Sequence, residues 1–303
     1  MKAGYLRALL DAGFRHLDAV AFVSPAAAPQ MADSEEVLAI LDSLDPDLLD
    51  PDTLDPLDSA EILGIVVNER GAERALRTGK VTTLGFPFSI SPGFLARNQR
   101  QTPEQALRVL ETIAGAAAQS GLQVVAYLSM AFGNPYGEPW SLDRLISACR
   151  TLTGMGIAQI SLADTVGLAD ASQIETVVRA VIGSLPPARG AEPGAEIGVH
   201  LHARPDTAAA RIAAALSAGC RRMDSAIGGL GGCPFAQDTL VGNIPTEAVF
   251  AALQRMGAET PALSSSLMAM NRSIADEYSG AGEQDSGKHP VASRAAAEIR
   301  RHV

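Results

Sequence analysis

The sequence predicts an α/β fold of the (β/α)8-barrel type, and three observations lead to this prediction. Apolar strand patterns alternate with amphipathic helix patterns along most of the 303 residues, which is typical of parallel strands joined by right-handed helical crossovers. No Gly-x-Gly-x-x-Gly motif follows the first strand pattern, which disfavours the competing architecture, an open dinucleotide-binding sheet. Polar residues gather where several different strands end, as at the active face of a barrel.

The chain begins with a helix pattern and continues with strand patterns. Leu6, Leu9 and Leu10 fall on one helical face, and Gly13 closes that pattern. The Ile-Leu-Gly-Ile-Val-Val segment at 62–67 is apolar throughout, as expected for a strand buried on both faces. The predicted strands cover residues 16–23, 62–67, 81–86, 123–132, 157–164, 195–202 and 221–227.

Helix patterns connect these strands. In the strongest one, at 102–121, Thr102 is a candidate N-cap, Pro103 lies in the first turn and Gln105 is placed to complete a capping box. The other predicted helices cover 33–43, 68–79, 141–155, 170–184 and 207–219, and a last one starts near residue 246. The patterns give seven strands, where a closed barrel needs about eight. We expect a barrel domain at 1–275 and a C-terminal tail at 276–303.

Composition excludes several classes of protein. The chain has 24 Lys and Arg against 34 Asp and Glu, and this formal charge of −10 disfavours a nucleic-acid partner. No apolar run approaches the roughly 18 residues of a membrane span. The three cysteines are too few and too scattered for a disulfide framework, so we expect a cytoplasmic protein. The motifs of α/β-hydrolases, zincins, redox proteins and P-loop proteins do not occur.

An acidic segment interrupts the alternation at residues 42–58. It carries seven Asp and a crude Leu-Asp-Pro repeat. A calcium loop is one interpretation, but such a loop needs defined ligand spacing and a terminal Glu. An acidic surface loop is the favoured interpretation, because an acidic, Pro-rich run cannot bury apolar surface.

His200 and His202 are the strongest sign of chemistry. They lie two residues apart at the end of a predicted strand, so both side chains project to the same side. Two imidazoles on one face can chelate a metal ion. A pair of hydrogen-bonded structural histidines is the alternative.

A glycine-rich segment follows the last strand. The sequence Gly-Gly-Leu-Gly-Gly-Cys-Pro-Phe-Ala-Gln at 228–237 cannot form a strand or a stable helix, and a loop of this kind can close over a substrate. Cys233 lies within it. Its thiol is a candidate proton donor, proton acceptor or nucleophile, and an incidental loop thiol is the alternative.

Single residues add weaker signals. Asp164 ends a predicted strand and is either an active-site acid or a helix-initiating residue. Asn243 precedes the last predicted helix, where it is either a helix cap or a ligand of a hard cation. Tyr127 and Ser129 fall in phase on one strand face.

Together these motifs resemble the 3-hydroxy-3-methylglutaryl-CoA lyases, metal-dependent TIM-barrel lyases whose superfamily also holds the isopropylmalate and citramalate synthases. The resemblance extends from about residue 3 to residue 275. Its most specific element is the cysteine loop, which the synthases lack. The other matching segments are residues 21–31, 127–136, 161–170, 199–202 and 242–247.

The resemblance implies retro-aldol cleavage of 3-hydroxy-3-methylglutaryl-CoA into acetyl-CoA and acetoacetate, with Mg²⁺ or Mn²⁺ as the cofactor. It implies that His200, His202 and Asn243 bind the metal ion. Cys233 would then be the acid/base that serves the acetyl-CoA enolate, and Asp164 the acidic group near the C3 hydroxyl.

The resemblance also implies supporting residues and partners. Glu247 would orient a metal ligand. Asp18 lies where the family usually has Glu, and Tyr127 and Ser129 would line the substrate side. An acyl-CoA is the implied partner and a homodimer is plausible, without nucleic acid or membrane.

Besides Asp18, and Ala21 at a position that is commonly Ser, the sequence departs from the family at two longer segments. Ala203-Arg204-Pro205-Asp206 follows the second histidine, where the family usually has Asp-Thr-Tyr-Gly, and this leaves the exact acyl-CoA open. The Arg-Asp-Gly-Leu-Gln motif of the family's first strand, which supplies a metal-binding Asp and a carbonyl-polarising Arg, does not occur. We therefore expect the first strand to be missing, through a misassigned start codon, a truncated paralogue or a deliberate shortening.

These departures keep two further functions open. We expect severely impaired turnover and weak metal binding by the 303-residue chain, because the Arg-Asp pair is absent. A related aldolase or synthase acting on another acyl-CoA or 2-oxo acid is the first alternative. An inactive paralogue that only binds a partner is the second.

Overall fold

Seven parallel strands form the frame of the computed structural model, which describes residues 1–43, 55–186, 194–231 and 242–279. In chain order they are β1 (His16–Ala21), β2 (Glu61–Ile65), β3 (Thr83–Ser89), β4 (Gln123–Ser129), β5 (Gln159–Asp164), β6 (Glu196–Ala203) and β7 (Arg222–Asp224). Each strand pairs in parallel with the next one along the chain. The predicted barrel-type α/β fold is confirmed.

The helices follow the strands and cover one face of the sheet. They are α1 (Lys2–Asp11), α2 (Ser34–Ser43), α3 (Glu69–Thr78), α4 (Pro92–Asn98), α5 (Pro103–Gln119), α6 (Leu142–Gly154), α7 (Ala171–Ser184), α8 (Pro205–Ser217), α9 (Thr246–Arg255) and α10 (Ser265–Ser279). None of the helices in the described ranges is long and apolar enough to cross a bilayer.

Helix α5 shows how the sequence sets this packing. Its start is the predicted capping box, in which Thr102 accepts from the Gln105 amide and Gln105 accepts from the Thr102 amide. Its buried residues recur every three or four positions, so one apolar stripe faces the sheet. They are Ala106, Leu110, Ile113 and Ala117.

The other face of the sheet encloses a much smaller apolar cluster. Leu63, Val125 and Tyr127 pack there with Ile65. Gly85 of β3 lies between these residues, because it pairs with Ile65 on one side and Val125 on the other. A Cβ at this position would come within 2.7 Å of the Leu63 and Ile65 side chains. The inner space is therefore narrow at this level, as in the filled interior of a barrel.

The described residues leave the sheet open between its first and last strands. β1 and β7 end the strand order, and they do not pair with each other in this part of the chain. One strand position of a closed barrel is unfilled there. A short antiparallel strand, β8 (Gly242–Asn243), pairs with β6.

Three elements differ from the sequence-based prediction. Helix α4 was not predicted, and neither was α10, although Leu267 and Ile274 lie on a helical repeat. Helix α10 also crosses the predicted domain boundary at residue 275. β7 ends at Asp224 instead of continuing to residue 227, because a 3-10 turn at Ile227–Gly229 follows it.

The acidic segment lies partly outside the described residues. Residues 44–54 are not described, so neither interpretation of the segment is tested. At its described end, Asp55 pairs with Arg7 of α1 at 3.1 Å.

Candidate active site

His200 and His202 lie together at the C-terminal end of β6. Their ring centroids are 5.3 Å apart and their planes meet at 70°. The residue between them, Leu201, is buried and pairs in register with Asp164 of β5. Because side chains alternate along a strand, the two imidazoles face the inside of the curved sheet and Leu201 faces the helices.

His202 is fixed by a backbone carbonyl. Its Nδ1 lies 2.8 Å from the Thr165 carbonyl oxygen, which can only accept, so Nδ1 carries the proton. Burial and the neighbouring His200 lower the pKa of His202. The ring is therefore neutral at physiological pH, and its Nε2 keeps a lone pair that can bind a metal ion.

His200 has an incomplete set of partners. Its Nδ1 lies 3.5 Å from Asp224 Oδ2, an ion-pair distance, and this buried atom makes no hydrogen bond with the described residues. Burial alone would lower the pKa of His200, but Asp224 and Asp18 outweigh it and raise the pKa. Tyr127 meets the imidazole edge-on, with centroids 5.8 Å apart.

Asn243 reaches both histidines from β8. It pairs with His202 across the two strands, and its side chain acts to raise the pKa of both imidazoles, against the effect of burial. Its Nδ2 donates to the Leu230 carbonyl at 2.8 Å. A Cβ at Gly242 would lie 2.7 Å from the Gly229 carbonyl oxygen. Only glycine therefore allows β8 to pack this closely against the backbone of Gly229.

Two carboxylates flank His200 on the inner face. Asp224 pairs with it in register and accepts from Ser161 Oγ at 2.6 Å. His200 and Ser161 outweigh the effect of burial and lower the pKa of Asp224. Asp18 accepts from the Tyr127 hydroxyl at a long 3.4 Å.

The ionised form is less favourable for Asp18 than for Asp224. Enclosure by the sheet and the negative charge of Asp224 raise the pKa of Asp18 to about 7. Its side chain is nevertheless exposed to solvent at the open side of the sheet, so water screens part of this effect. Sequence analysis did not include Asp224 among the site residues, although its position at the end of a strand was a usable signal.

Asp164 lies away from the two imidazoles. Its carboxylate is on the helix side of β5 and accepts from the Leu168 and Ala169 amides and from Arg211. Burial raises the pKa of Asp164 to about 6. Strand alternation turns Asp164 to the opposite face from His200, and its role near the C3 hydroxyl stays a prediction.

The remaining predicted residues have different surroundings. Both carboxylate oxygens of Glu247 accept from the Gly228 amide, at 3.0 and 3.1 Å, so this side chain holds the start of the glycine-rich loop. Ser129 is buried and pairs with Ser89 of β3. Cys233 lies outside the described residues. Cys149 and Cys220 are buried free thiols.

Comparison with known proteins decides the family. The HMGL-like family matches residues 2–274 of the chain. The chain belongs to the HMGL-like family. Its relatives are carbon–carbon lyases, and this HMGL-like chain is a lyase of that kind.

Similar sequences and structures cover most of the HMGL-like chain. Hydroxymethylglutaryl-CoA lyase YngG of Bacillus subtilis is 29% identical over 86% of this chain and 79% of that protein. (R)-citramalyl-CoA lyase of Chloroflexus aurantiacus is 29% identical over 83% of this chain and 76% of that protein. The structure of an HMG-CoA lyase from Acinetobacter baumannii with coenzyme A and 3-methylmalate has a TM-score of 0.75 and 27% identity, over 95% of this chain and 90% of that one.

HMGL-like lyases depend on a divalent cation, and the donors of this chain fit part of such a site. Within the described ranges, no three His, Cys, Asp or Glu side chains cluster tightly enough to hold a metal ion. In the part of the chain that the structure describes, His200 Nδ1 is buried without a hydrogen bond, His202 Nε2 has a lone pair, and Asn243 pairs in register with His202. Two imidazoles and an amide oxygen would leave further coordination positions for water and substrate oxygens.

Proposed function

We propose that the chain is a divalent-cation-dependent lyase that cleaves 3-hydroxy-3-methylglutaryl-CoA into acetyl-CoA and acetoacetate. The observation that carries this proposal is the convergence of His200, His202 and Asn243 on the inner side of β6. The likeness to hydroxymethylglutaryl-CoA lyases supports the choice of substrate. An acyl-CoA bound across the open end of the strands is the corresponding partner.

The cleavage requires two proton transfers at defined atoms. The bond between C2 and C3 breaks, its electron pair goes to C2 as the acetyl-CoA enolate, and the C3 hydroxyl loses its proton as it becomes a ketone. C2 then takes up a proton. A bound Mg²⁺ or Mn²⁺ supplies Lewis acidity at the C3 oxygen, and His200, His202 and Asn243 would hold it.

Cys233 is the proposed proton donor to C2. It belongs to the glycine-rich segment whose described start, at Gly228, is held by Glu247. Cys149 and Cys220 are unsuitable, because burial raises their pKa to about 12 and about 11 and keeps them from substrate.

Asp18, Tyr127 and Ser129 are the proposed residues that line the substrate side of the site. Asp18 and Tyr127 meet on the inner face beside His200, and Ser129 ends the strand that carries Tyr127. A hydroxyl pair and a carboxyl group offer both donors and acceptors to an oxygen-rich substrate. Glu247 is proposed to orient Asn243 indirectly, through the loop that Asn243 contacts.

Mn²⁺-dependent release of acetoacetate tests the proposed reaction. We expect Cys233→Ala to lower the rate by at least about 100-fold, the usual range for a lost acid or base. Cys149→Ala is the matched control and is expected to keep the rate. Equal rates for wild type and Cys233→Ala would contradict the proposed role and favour a synthase-like site.

A second substrate deserves the same assay, because a citramalyl-CoA lyase is about as similar as the hydroxymethylglutaryl-CoA lyases. In citramalyl-CoA the free carboxylate is one carbon closer to the hydroxyl-bearing carbon. We expect a higher kcat/KM for 3-hydroxy-3-methylglutaryl-CoA. A higher kcat/KM for citramalyl-CoA would reassign the substrate and leave the reaction type intact.

We also propose slow turnover by the 303 residues as they stand, because their sequence contains no Arg-Asp-Gly-Leu-Gln motif. Rates equal to those of a full hydroxymethylglutaryl-CoA lyase, measured side by side, would contradict this. A cytoplasmic location is proposed from the free thiols of Cys149 and Cys220 and from a relative named as cytoplasmic. The homodimer stays a proposal for gel filtration to test.

A further inference from the structure

Arg211 joins two chain segments at the edge of the proposed site. It lies on α8 and is the only charged residue between Thr207 and Ser217. Its Nη1 donates to Asp164 Oδ2 at 3.0 Å and to the His202 carbonyl, and its Nη2 donates to the Gly167 carbonyl at 3.0 Å. One guanidinium thus binds the loop after β5 and the backbone of His202 together.

Asp164 holds the same loop from its other side. Its two oxygens accept from the Leu168 amide at 2.9 Å and from the Ala169 amide at 3.1 Å. The Asp164 side chain is only 2% exposed and that of Arg211 13%, so this ion pair is largely shielded from water. Shielding strengthens the pair and makes the loss of either partner costly.

Thr165 connects this loop to the imidazole of His202. It lies between Asp164 and Gly167, and its carbonyl accepts from His202 Nδ1 at 2.8 Å. Its hydroxyl accepts from the amide of Met130 at 3.0 Å. Met130 has a φ of 60°, a left-handed conformation that a non-glycine residue keeps only where its surroundings enforce it.

We propose that Arg211 is a positioning residue that acts through Asp164 and Thr165 to fix the tautomer and orientation of His202. This inference rests on the proposed function only in so far as His202 binds the cation. The Thr165 carbonyl keeps the proton on Nδ1 and leaves the Nε2 lone pair for a metal ion. Without the guanidinium, Gly167 in the loop loses its connection to the His202 backbone.

The fork of arginine suits this task better than the point charge of lysine. Three acceptors on two segments receive hydrogen bonds from two nitrogens of one planar group. A lysine would keep the charge opposite Asp164 but could not hold all three acceptors in the same geometry. Arg211→Lys therefore separates positioning from charge compensation.

The test is the tautomer of His202 in the metal-free chain, measured by ¹⁵N NMR of the imidazole nitrogens at about pH 8, where this histidine is neutral. The signals are assigned by their loss in His202→Gln. Wild type is expected to show the Nδ1–H tautomer. Arg211→Lys, and a double variant with Arg211→Met and Asp164→Asn that leaves no buried charge unpaired, are expected to show a mixture of tautomers.

Mn²⁺ affinity is the second readout, with Arg179→Met on the neighbouring α7 as the control. We expect binding to weaken by about 10- to 100-fold in the two Arg211 variants and to stay unchanged in the control. If wild type binds no Mn²⁺, the proposed function fails while the tautomer still tests this inference. An unchanged tautomer in folded Arg211→Lys would overturn it, whether or not the double variant folds.

Discussion

The polar and charged side chains on the two sides of β6 differ in how completely they are hydrogen bonded and shielded from water. On the helix side, Asp164 and Arg211 are shielded from water and hydrogen bond with each other and with four backbone groups. On the inner side, Asp18 reaches solvent, and the buried Nδ1 of His200 makes no hydrogen bond among the described residues. We call the first group, Asp164, Thr165 and Arg211 with the His202 backbone that Arg211 binds, the closed network. The second group, Asp18, Tyr127, His200 and Asp224, is the open cluster.

This contrast indicates that the two groups have different roles. A satisfied buried network is costly to disturb and therefore holds one geometry. Groups without complete partners are the ones that a ligand can still satisfy. The closed network is suited to positioning His202, while the open cluster is suited to receiving a cation and the oxygens of a substrate.

Removing one partner of the closed network gives the largest expected effect. Arg211→Met leaves Asp164 buried without its guanidinium, which is expected to lower the free energy of unfolding by about 3–5 kcal/mol. The double variant with Arg211→Met and Asp164→Asn is expected to recover part of this loss. Urea unfolding measures both, and equal stability of Arg211→Met and wild type would show that the network is not closed.

The pH dependence of Asp164 is the next effect in size. Burial raises the pKa of Asp164 from 3.8 to about 6, so the folded chain holds the proton more tightly than the unfolded chain between these values. The stability from this group is fully present below pH 3.8 and is lost as the pH rises through about 6.

Comparison with Asp164→Asn isolates this contribution. Wild type is expected to lose roughly 2–3 kcal/mol of unfolding free energy relative to the variant between these two pH values. Urea unfolding at a series of pH values measures the difference. A difference that stays constant with pH would contradict the raised pKa.

A change in the open cluster is expected to affect binding more than folding. Asp224→Asn removes the charge beside His200, so Mn²⁺ affinity is expected to fall by about 10-fold. The free energy of unfolding is expected to change by less than about 1 kcal/mol, because solvent reaches this cluster. A large loss of stability with unchanged Mn²⁺ binding would reverse the roles assigned to the two sides.

An exposed ion pair on the outer helices provides the smallest effect. Arg74 hydrogen bonds with both oxygens of Glu35 and lowers its pKa, but the Glu35 side chain is 41% exposed. Glu35→Gln is expected to cost about 0.5–1 kcal/mol at neutral pH. This stability is present above the unfolded pKa and is lost as Glu35 becomes protonated in acid, so the two proteins should converge there.

Strand alternation explains what the sequence could predict. The period of two at His200 and His202 was sufficient to place both rings on one face, and the capping box at Thr102 was readable because it is local. The same alternation turns Asp164 away from the imidazoles, which became clear only when its register with Leu201 was known. Arg211 was not predicted, because its acceptors Asp164 and Gly167 are distant in sequence, although a lone charge in an alanine-rich helix was a usable signal.

A Mn²⁺ titration of wild type and His202→Gln, followed by the electron paramagnetic resonance of free Mn²⁺, tests the central claim most directly. If His200, His202 and Asn243 hold the cation, wild type binds Mn²⁺ and His202→Gln binds it at least about 10-fold more weakly. Glu35→Gln, far from β6, should bind as wild type does. Equal binding by wild type and His202→Gln would contradict the assignment of the inner face of β6 as the cation site.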